Sequence, residues 1–186
     1  KPKPGLGSMF AGALGSITAM YGPAALAATA IFKLTQAMTE SFSAAKDFSI
    51  AMAEISTIAD QSIMTLGQMS DSVADLARST GQTEATVARG LYQTISSGIL
   101  DSSDALIMLE QSTRLATAGL ADTNQTVNLL TSAYNAYGLE IDDVARVSDI
   151  MFATVKRGKT TISELASTLG RAMPIAASLG ISIEEL

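Results

Sequence analysis

Apolar residues recur every seven positions between residues 31 and 59. A period of 3.5 residues keeps one face of a helix against the same partner along its whole length. The pattern therefore predicts one long helix over residues 33–65. Its partner is either a second copy of the chain or the domain that follows, and the pattern favours neither. The predicted seam consists of Ile31, Leu34, Met38, Ala45, Phe48, Met52, Ile55 and Ala59.

Shorter apolar stripes with helical spacing follow, such as Val87, Leu91 and Ile95. Glycines separate them at intervals of 17, 21, 19, 20 and 22 residues. Each of these glycines is expected to end a helix in the left-handed conformation, which glycine adopts without steric cost. They are Gly81, Gly98, Gly119, Gly138, Gly158 and Gly180.

Residues that favour helix N-termini come shortly after most of these glycines. Capping boxes, or a close variant of them, are formed by the pairs Thr161 and Glu164, Ser182 and Glu185, and Asp122 and Gln125. Other caps, or negative charge in a first turn, are expected from Thr83, Ser102, Asp142 and Asp143. Pro174 is expected to end or kink the last helix. The expected fold is all-α, with a long N-terminal helix followed by a compact array of short antiparallel helices punctuated by glycines.

Residues 1–32 differ from the rest because no charged residue lies between Lys3 and Lys33. The segment is long enough to cross a bilayer. Its glycines and Pro23 lower both helix propensity and hydrophobicity, which favours instead a buried helix, or one that faces other copies of the chain. Three regions result: residues 1–32 as an apolar Gly/Ala-rich segment, 33–65 as the heptad helix, and 66–186 as a helical domain. The composition at both ends suggests a piece of a longer chain.

The composition narrows the possible chemistry. The sequence contains no His, Cys or Trp, which excludes histidine-based triads, thiol nucleophiles, zinc fingers and disulfides. Eighteen acidic and 12 basic residues give a net charge of -6. A chain of this charge is repelled by phosphate backbones, so specific binding to nucleic acid is not expected.

Three motifs that resemble catalytic or binding sites have simpler explanations. Residues 153–160 fit a loose phosphate-binding loop, but they follow a predicted helix where that loop requires a strand. Ser43 and Lys46 have the spacing of a serine nucleophile and its lysine, yet they lie on the heptad helix without a companion motif. Carboxylate pairs, such as Asp101 with Asp104, occur at helix starts, where capping explains them. We therefore expect no enzyme activity, no cofactor and no metal.

Several segments, in their order and spacing, resemble the helical core domain of bacteriophage tail tape measure proteins. The resemblance covers residues 45–186. It rests on Lys46 to Phe48, Met52 to Ile55, Leu76 to Gly81 leading to Val87, Leu115 to Gly119, Ala133 to Leu139, Ser163 to Leu165, and Ala176 to Leu186.

This resemblance implies a structural protein of the virion, held in the lumen of the tail tube after assembly in the bacterial cytoplasm. Such a protein sets tail length and is released to assist DNA ejection. The partners it implies are further copies of the chain (a homo-oligomer, for example a trimer), tail tube and tail tip proteins, tail assembly chaperones and, on ejection, the host membrane. The alternative hypothesis is a membrane-active helical module, or a pore-forming segment, built on residues 5–32.

Overall fold

The computed structural model describes residues 33, 35–36 and 38–186. The chain divides into two compact units, Lys1–Ser43 and Ala44–Leu186. In the first unit, all of the described positions are helical. The seam candidates Ile31 and Leu34 lie outside the described residues, as does the apolar segment 1–32.

The second unit is all-α over its whole length, as the sequence predicts. Helix α1 covers residues 44–56 of this unit. The helices that follow are α2 (Leu66–Thr80), α3 (Glu84–Ser96), α4 (Ser102–Gly119), α5 (Thr123–Tyr137), α6 (Val144–Arg157) and α7 (Ile162–Ser178), with a short 3-10 turn at Ile141–Asp143 before α6.

Helices α2 to α7 form two layers. The main contacts join each helix to the next one and to the next but one. Helices α2, α4 and α6 thus lie side by side, as do α3, α5 and α7, and consecutive helices pack across the two layers. The most extensive contact is between α5 and α7.

The predicted apolar stripes form the core of this unit. Val87, Leu91 and Ile95 of α3 are buried, as are Leu109 of α4 and Leu130 of α5. Buried hydroxyls lie among them, and those of Thr94, Thr113 and Thr131 donate to the backbone carbonyl four residues earlier. The Thr126 hydroxyl of α5 joins two helices, because its Oγ1 donates to the Ser112 carbonyl of α4 at 2.8 Å. The polar side chains in the core are therefore largely hydrogen-bonded.

Side-chain caps begin most of the helices. Thr161 and Glu164 form the predicted capping box of α7, and Asp122 caps α5 by accepting from the N–H groups of Asn124 and Gln125. At α4 the expected cap is wrong by one residue. Asp101 caps this helix, and Ser102 is buried with its Oγ donating to the Asp60 carbonyl at 2.9 Å. Asp101, one residue before Ser102, has the extended backbone conformation that an N-cap requires.

Glycines with positive φ follow four helices, at Gly81, Gly98, Gly138 and Gly180. Gly119 is different: it is the last residue of α4, and Leu120 adopts the left-handed conformation with φ 51°. A Cβ at Gly119 would overlap the Ile162 side chain at the start of α7. Gly119 therefore permits close helix packing, and the residue that ends the helix is a leucine.

Two further expectations differ from the structure. Gly158 ends α6 in an extended conformation, with φ -98° and ψ 171°, because the short link to the extended Thr161 continues from it. Pro174 does not end the last helix, since α7 continues to Ser178. The proline is exposed, so its ring and its missing N–H lie on the solvent side of the helix.

Candidate assembly surface

The heptad seam has two different environments along its length. In the first unit Met38 is exposed. In the second unit Ala45 is exposed, Phe48 is half-buried, and Met52 and Ile55 are buried in the core. The second half of the predicted seam therefore packs on its own domain.

The heptad helix is shorter than its sequence pattern predicts. Residues 57–65 form turns, so that the helix ends at residue 56 and the last seam candidate, Ala59, lies outside it. Two hydroxyls mark this end, because the side chains of Ser56 and Thr57 donate to the carbonyls of Ala53 and Glu54. Hydroxyls that bond nearby carbonyls compete with the continuation of a helix.

An open groove of about 410 Å³ lies between α2 and α4. Its walls combine apolar side chains with hydroxyls and carboxylates: Ser72, Asp75, Leu76, Ser79, Leu106, Ile107 and Glu110. Ion pairs lie along it, Arg78 with Asp75 and Arg114 with Glu110, both at 2.7 Å. These pairs are well exposed, so they contribute little to stability. Leu76, Leu106 and Ile107 offer an apolar contact surface.

The motifs that resemble catalytic sites have structural roles. Residues 153–157 belong to α6, and the Gly158 N–H donates to the Thr154 carbonyl at 2.8 Å as the helix ends. Asp101 caps α4, and Asp75 is paired with Arg78. Lys46 is exposed. In the part of the chain that the structure describes, no group of acidic side chains has the arrangement of a metal site.

The described helices also include none that is both long and apolar enough to cross a bilayer. Residues 1–32, the apolar segment that is long enough to cross a bilayer, lie outside the described part of the chain.

One surface residue escapes prediction from sequence. Leu120 is 95% exposed and has the left-handed conformation that glycine has at Gly81 and Gly138. In all three cases the following N–H donates to the carbonyl five residues earlier, for example Ala121 to Ala116 at 2.9 Å. The sequence does indicate where α4 ends, because α5 begins at its N-cap Asp122 and α4 must therefore end shortly before that residue.

Residues 70–186 match the family of phage-related minor tail proteins, which is more than half of the chain. The chain belongs to this family. The resemblance noted in the sequence is thereby confirmed, and the protein is a structural component of the phage tail and so of the virion.

Two tape measure proteins are similar to this minor tail protein. A probable tape measure protein of Clostridium phage phiCD119 is 27% identical over 146 residues, which are 77% of this chain and 16% of that protein. The tape measure protein of Pneumococcus phage Dp-1 is 24% identical over 144 residues, 75% of this chain and 12% of that protein. The chain thus spans less than a fifth of the length of either relative. No solved structure matches it.

Proposed function

We propose that this chain is part of a tape measure that sets the length of the phage tail during assembly, occupies the tail lumen, and leaves with the DNA on ejection. The observation that supports the proposal is its similarity to two tape measure proteins over about three quarters of its length. The net charge of -6 suits a protein that shares a channel with DNA without binding to it.

Within this function, the two units have different tasks. A continuous helix rises about 1.5 Å per residue, whereas helices folded into two layers extend much less per residue. The heptad helix before residue 44 is therefore the part that contributes length. The exposed side chains of Met38 and Phe42 on it give several copies an apolar surface for lateral association. The array of residues 44–186 serves as an anchoring module that contacts tail tube or tip proteins.

The function is tested by changing the heptad helix in the full-length gene of the phage that encodes this chain. Three extra copies of the heptad 38–44 add 21 residues, or about 32 Å of helix. We expect the mean tail length in electron micrographs to increase by about that distance. The matched control carries the same 21 residues at Gly138, on a turn of the array, and should have tails of normal length.

Two outcomes would contradict the proposal. Tails of unchanged length from the heptad insertion would show that this helix does not measure length. Tails of normal and uniform length in a phage that lacks the gene would exclude the tape measure function altogether.

A further inference from the structure

The links between helices of the array gather at two ends. At one end lie the links 57–65, 97–101, 138–143 and the segment 179–186, which we call the acidic end. At the other lie the links 81–83, 120–122 and 158–161, which together with the last turn of α6 we call the basic end. Consecutive helices alternate in direction, so each link joins the two layers at one of these ends.

Hydrogen bonds and an ion pair hold the acidic end together. Ser102 Oγ donates to the Asp60 carbonyl at 2.9 Å, which connects the first link to the start of α4. Asn135 Nδ2 donates to the Ser97 carbonyl at 3.2 Å. Arg146 pairs with Glu184, which joins the start of α6 to the segment after α7.

Contacts of a similar kind hold the basic end together. Gln82 bridges two helices, because its Nε2 donates to Thr117 Oγ1 at 3.2 Å and its Oε1 accepts from Thr123 Oγ1 at 2.6 Å. Gly119 lies directly against Ile162. The three links are therefore neighbours on one surface.

The two ends differ in charge, since one is strongly acidic and the other carries a cluster of cations. The links of the acidic end contain seven carboxylates and no lysine or arginine: Asp60, Asp101, Glu140, Asp142, Asp143, Glu184 and Glu185. The Ser62 side chain and N–H lower the pKa of Asp60, and the Ser182 N–H and hydroxyl lower that of Glu185. Both groups are therefore ionised at neutral pH.

The basic end presents three cations in four consecutive residues, Lys156, Arg157 and Lys159, all exposed. It also has carboxylates: Asp122 and Glu164 cap α5 and α7, and Glu84 is exposed on the first turn of α3. Arg78, on the last turn of α2, and Arg114, more than one turn before the end of α4, are paired within their own helices.

Capping does not explain this polarity. Acidic residues favour helix N-termini and basic residues favour C-termini. Each end contains both kinds of terminus: α2, α4 and α6 begin at the acidic end, whereas α3, α5 and α7 begin at the basic end. Helix dipoles alone would distribute the charges evenly.

Exposed leucines accompany the charges at both ends. The basic end carries Leu120, which is 95% exposed, and the acidic end carries Leu100 and Leu179, which are 65% and 71% exposed. A left-handed conformation brings the Cβ of a leucine close to its backbone, a steric cost that glycine would avoid. Exposed apolar side chains framed by charge are typical of contact surfaces.

We propose that the basic end of one copy docks on the acidic end of a second copy, with Leu120 as the apolar anchor of the contact. Such a contact is head-to-tail, so copies form either a ring or an open row. This contact goes beyond the proposed function, because measuring tail length requires no association of copies other than side by side along the heptad helix. It also uses none of the exposed apolar side chains of the heptad helix in the first unit, Met38 and Phe42.

The test measures the mass of the 186-residue chain by sedimentation at rising concentration, at about 0.01 M and about 1 M salt. The Debye length falls from about 30 Å to about 3 Å between these conditions. We expect association at low salt that weakens at least about tenfold at high salt. Assembly through the heptads alone would depend little on salt. A chain whose mass does not grow with concentration at low salt would overturn the proposal.

Charge reversal identifies the surfaces. The variant Lys156→Glu/Arg157→Glu/Lys159→Glu should lose the salt-dependent association. The control Arg89→Glu/Arg171→Glu reverses two exposed cations on the middle turns of α3 and α7, away from both ends, and should retain most of it. Association that survives reversal of the basic end, or that both variants lose equally, would overturn the proposal.

A second variant covers the case in which the first does not fold. Glu140→Lys/Asp142→Lys reverses two exposed carboxylates of the acidic end and should also lose association. Mixing the two variants should restore the contact, because the unchanged basic end of the second variant can dock on the unchanged acidic end of the first, and association should then stop at pairs. Circular dichroism checks that both are folded, and folded variants that stay apart when mixed would overturn the proposal.

Leu120→Gly separates docking from folding. Because it removes the left-handed leucine, it should raise the unfolding temperature of the array, whereas loss of the anchor should weaken association about tenfold or more. Association unchanged by this substitution would contradict the role of Leu120.

Discussion

At the scale of single residues, two neighbouring positions at the end of α4 exchange the roles that their types suggest. Gly119 is required because the Ile162 side chain occupies the space of its Cβ, and Leu120 takes the left-handed turn. The sequence places glycine near the end of this helix correctly. It cannot indicate why, because the contact involves a residue in another helix.

Gly119→Ala should lower the free energy of unfolding by about 1–3 kcal/mol, because the new methyl group overlaps Ile162 and α7 must shift. The matched control is Gly170→Ala in α7, where the nearest atom to a Cβ would be Ser132 Oγ at 3.7 Å. That substitution has room and improves helix propensity, so it should stabilise by up to about 1 kcal/mol. Urea unfolding measures both, and effects of the same sign would contradict the packing role of Gly119.

The capping box of α7 makes its stability depend on pH. The Thr161 N–H, which donates to Glu164 Oε2 at 2.9 Å, and the Thr160 hydroxyl, at 3.1 Å, lower the pKa of Glu164. A carboxylate with a lowered pKa stabilises the fold above its unfolded pKa, about 4.3, and loses this effect as the pH falls through the folded value. Wild type should therefore melt above Glu164→Ala at neutral pH.

The difference in melting temperature between these two proteins should be constant above about pH 5.5 and should shrink as the pH falls below about 4. Differential scanning fluorimetry across this range measures it. A difference that stays constant down to pH 3 would show that the carboxylate of Glu164 does not act through its ionised form.

At the scale of elements, the heptad repeat extends over two stretches of helix whose apolar side chains have different environments. Met52 and Ile55 belong to the same heptad pattern as Met38 and Ala45. Met52 and Ile55 are buried in the core of the array, whereas Met38 and Ala45 are exposed. A sequence period reports that a helix has an apolar face, and it is the same whether that face meets its own domain or another chain. Periodicity therefore predicts the helix but leaves its partner undetermined.

The substitution Ile55→Ala should destabilise the array by about 2–5 kcal/mol, because it removes a fully buried side chain. Phe42→Ala, in the first unit, removes a larger side chain that is 77% exposed and should leave the unfolding of the array within about 0.5 kcal/mol of wild type. Urea unfolding followed by circular dichroism compares the two. Equal losses would mean that residues before 44 contribute to the fold of the array.

The array helices themselves were predictable because local signals agree. Apolar stripes, N-caps and glycine ends all point to the same boundaries, as for α5 between Asp122 and Gly138. Where one signal stands alone it decides less, as for Pro174, which lies on the exposed face of α7 and does not end the helix. The pairing of α5 with α7 has no local signal, since it joins helices that are not consecutive.

At the scale of the whole array, the contacts of a helix depend on its place in the order. Helices α4 and α5 each pack against four others, on both sides and in both layers. The buried side chains of α6 are confined to its first half, at Val144, Val147, Ser148 and Met151. Local stability follows such contacts, because opening a segment exposes the apolar surface it buries.

Amide hydrogen exchange should therefore be slowest in α4 and α5, and faster by about tenfold or more in α6, beginning with its last turns after Met151. These turns carry the cations Lys156 and Arg157 of the basic end, so docking of a second copy should slow their exchange without changing that of the middle turns of α4. Mass spectrometry of the wild-type chain, at concentrations below and above association, measures both effects. Uniform exchange in helices α2 to α7 would mean that the array opens as one cooperative unit. The prediction that local stability depends on the place of a helix in the array would then be wrong.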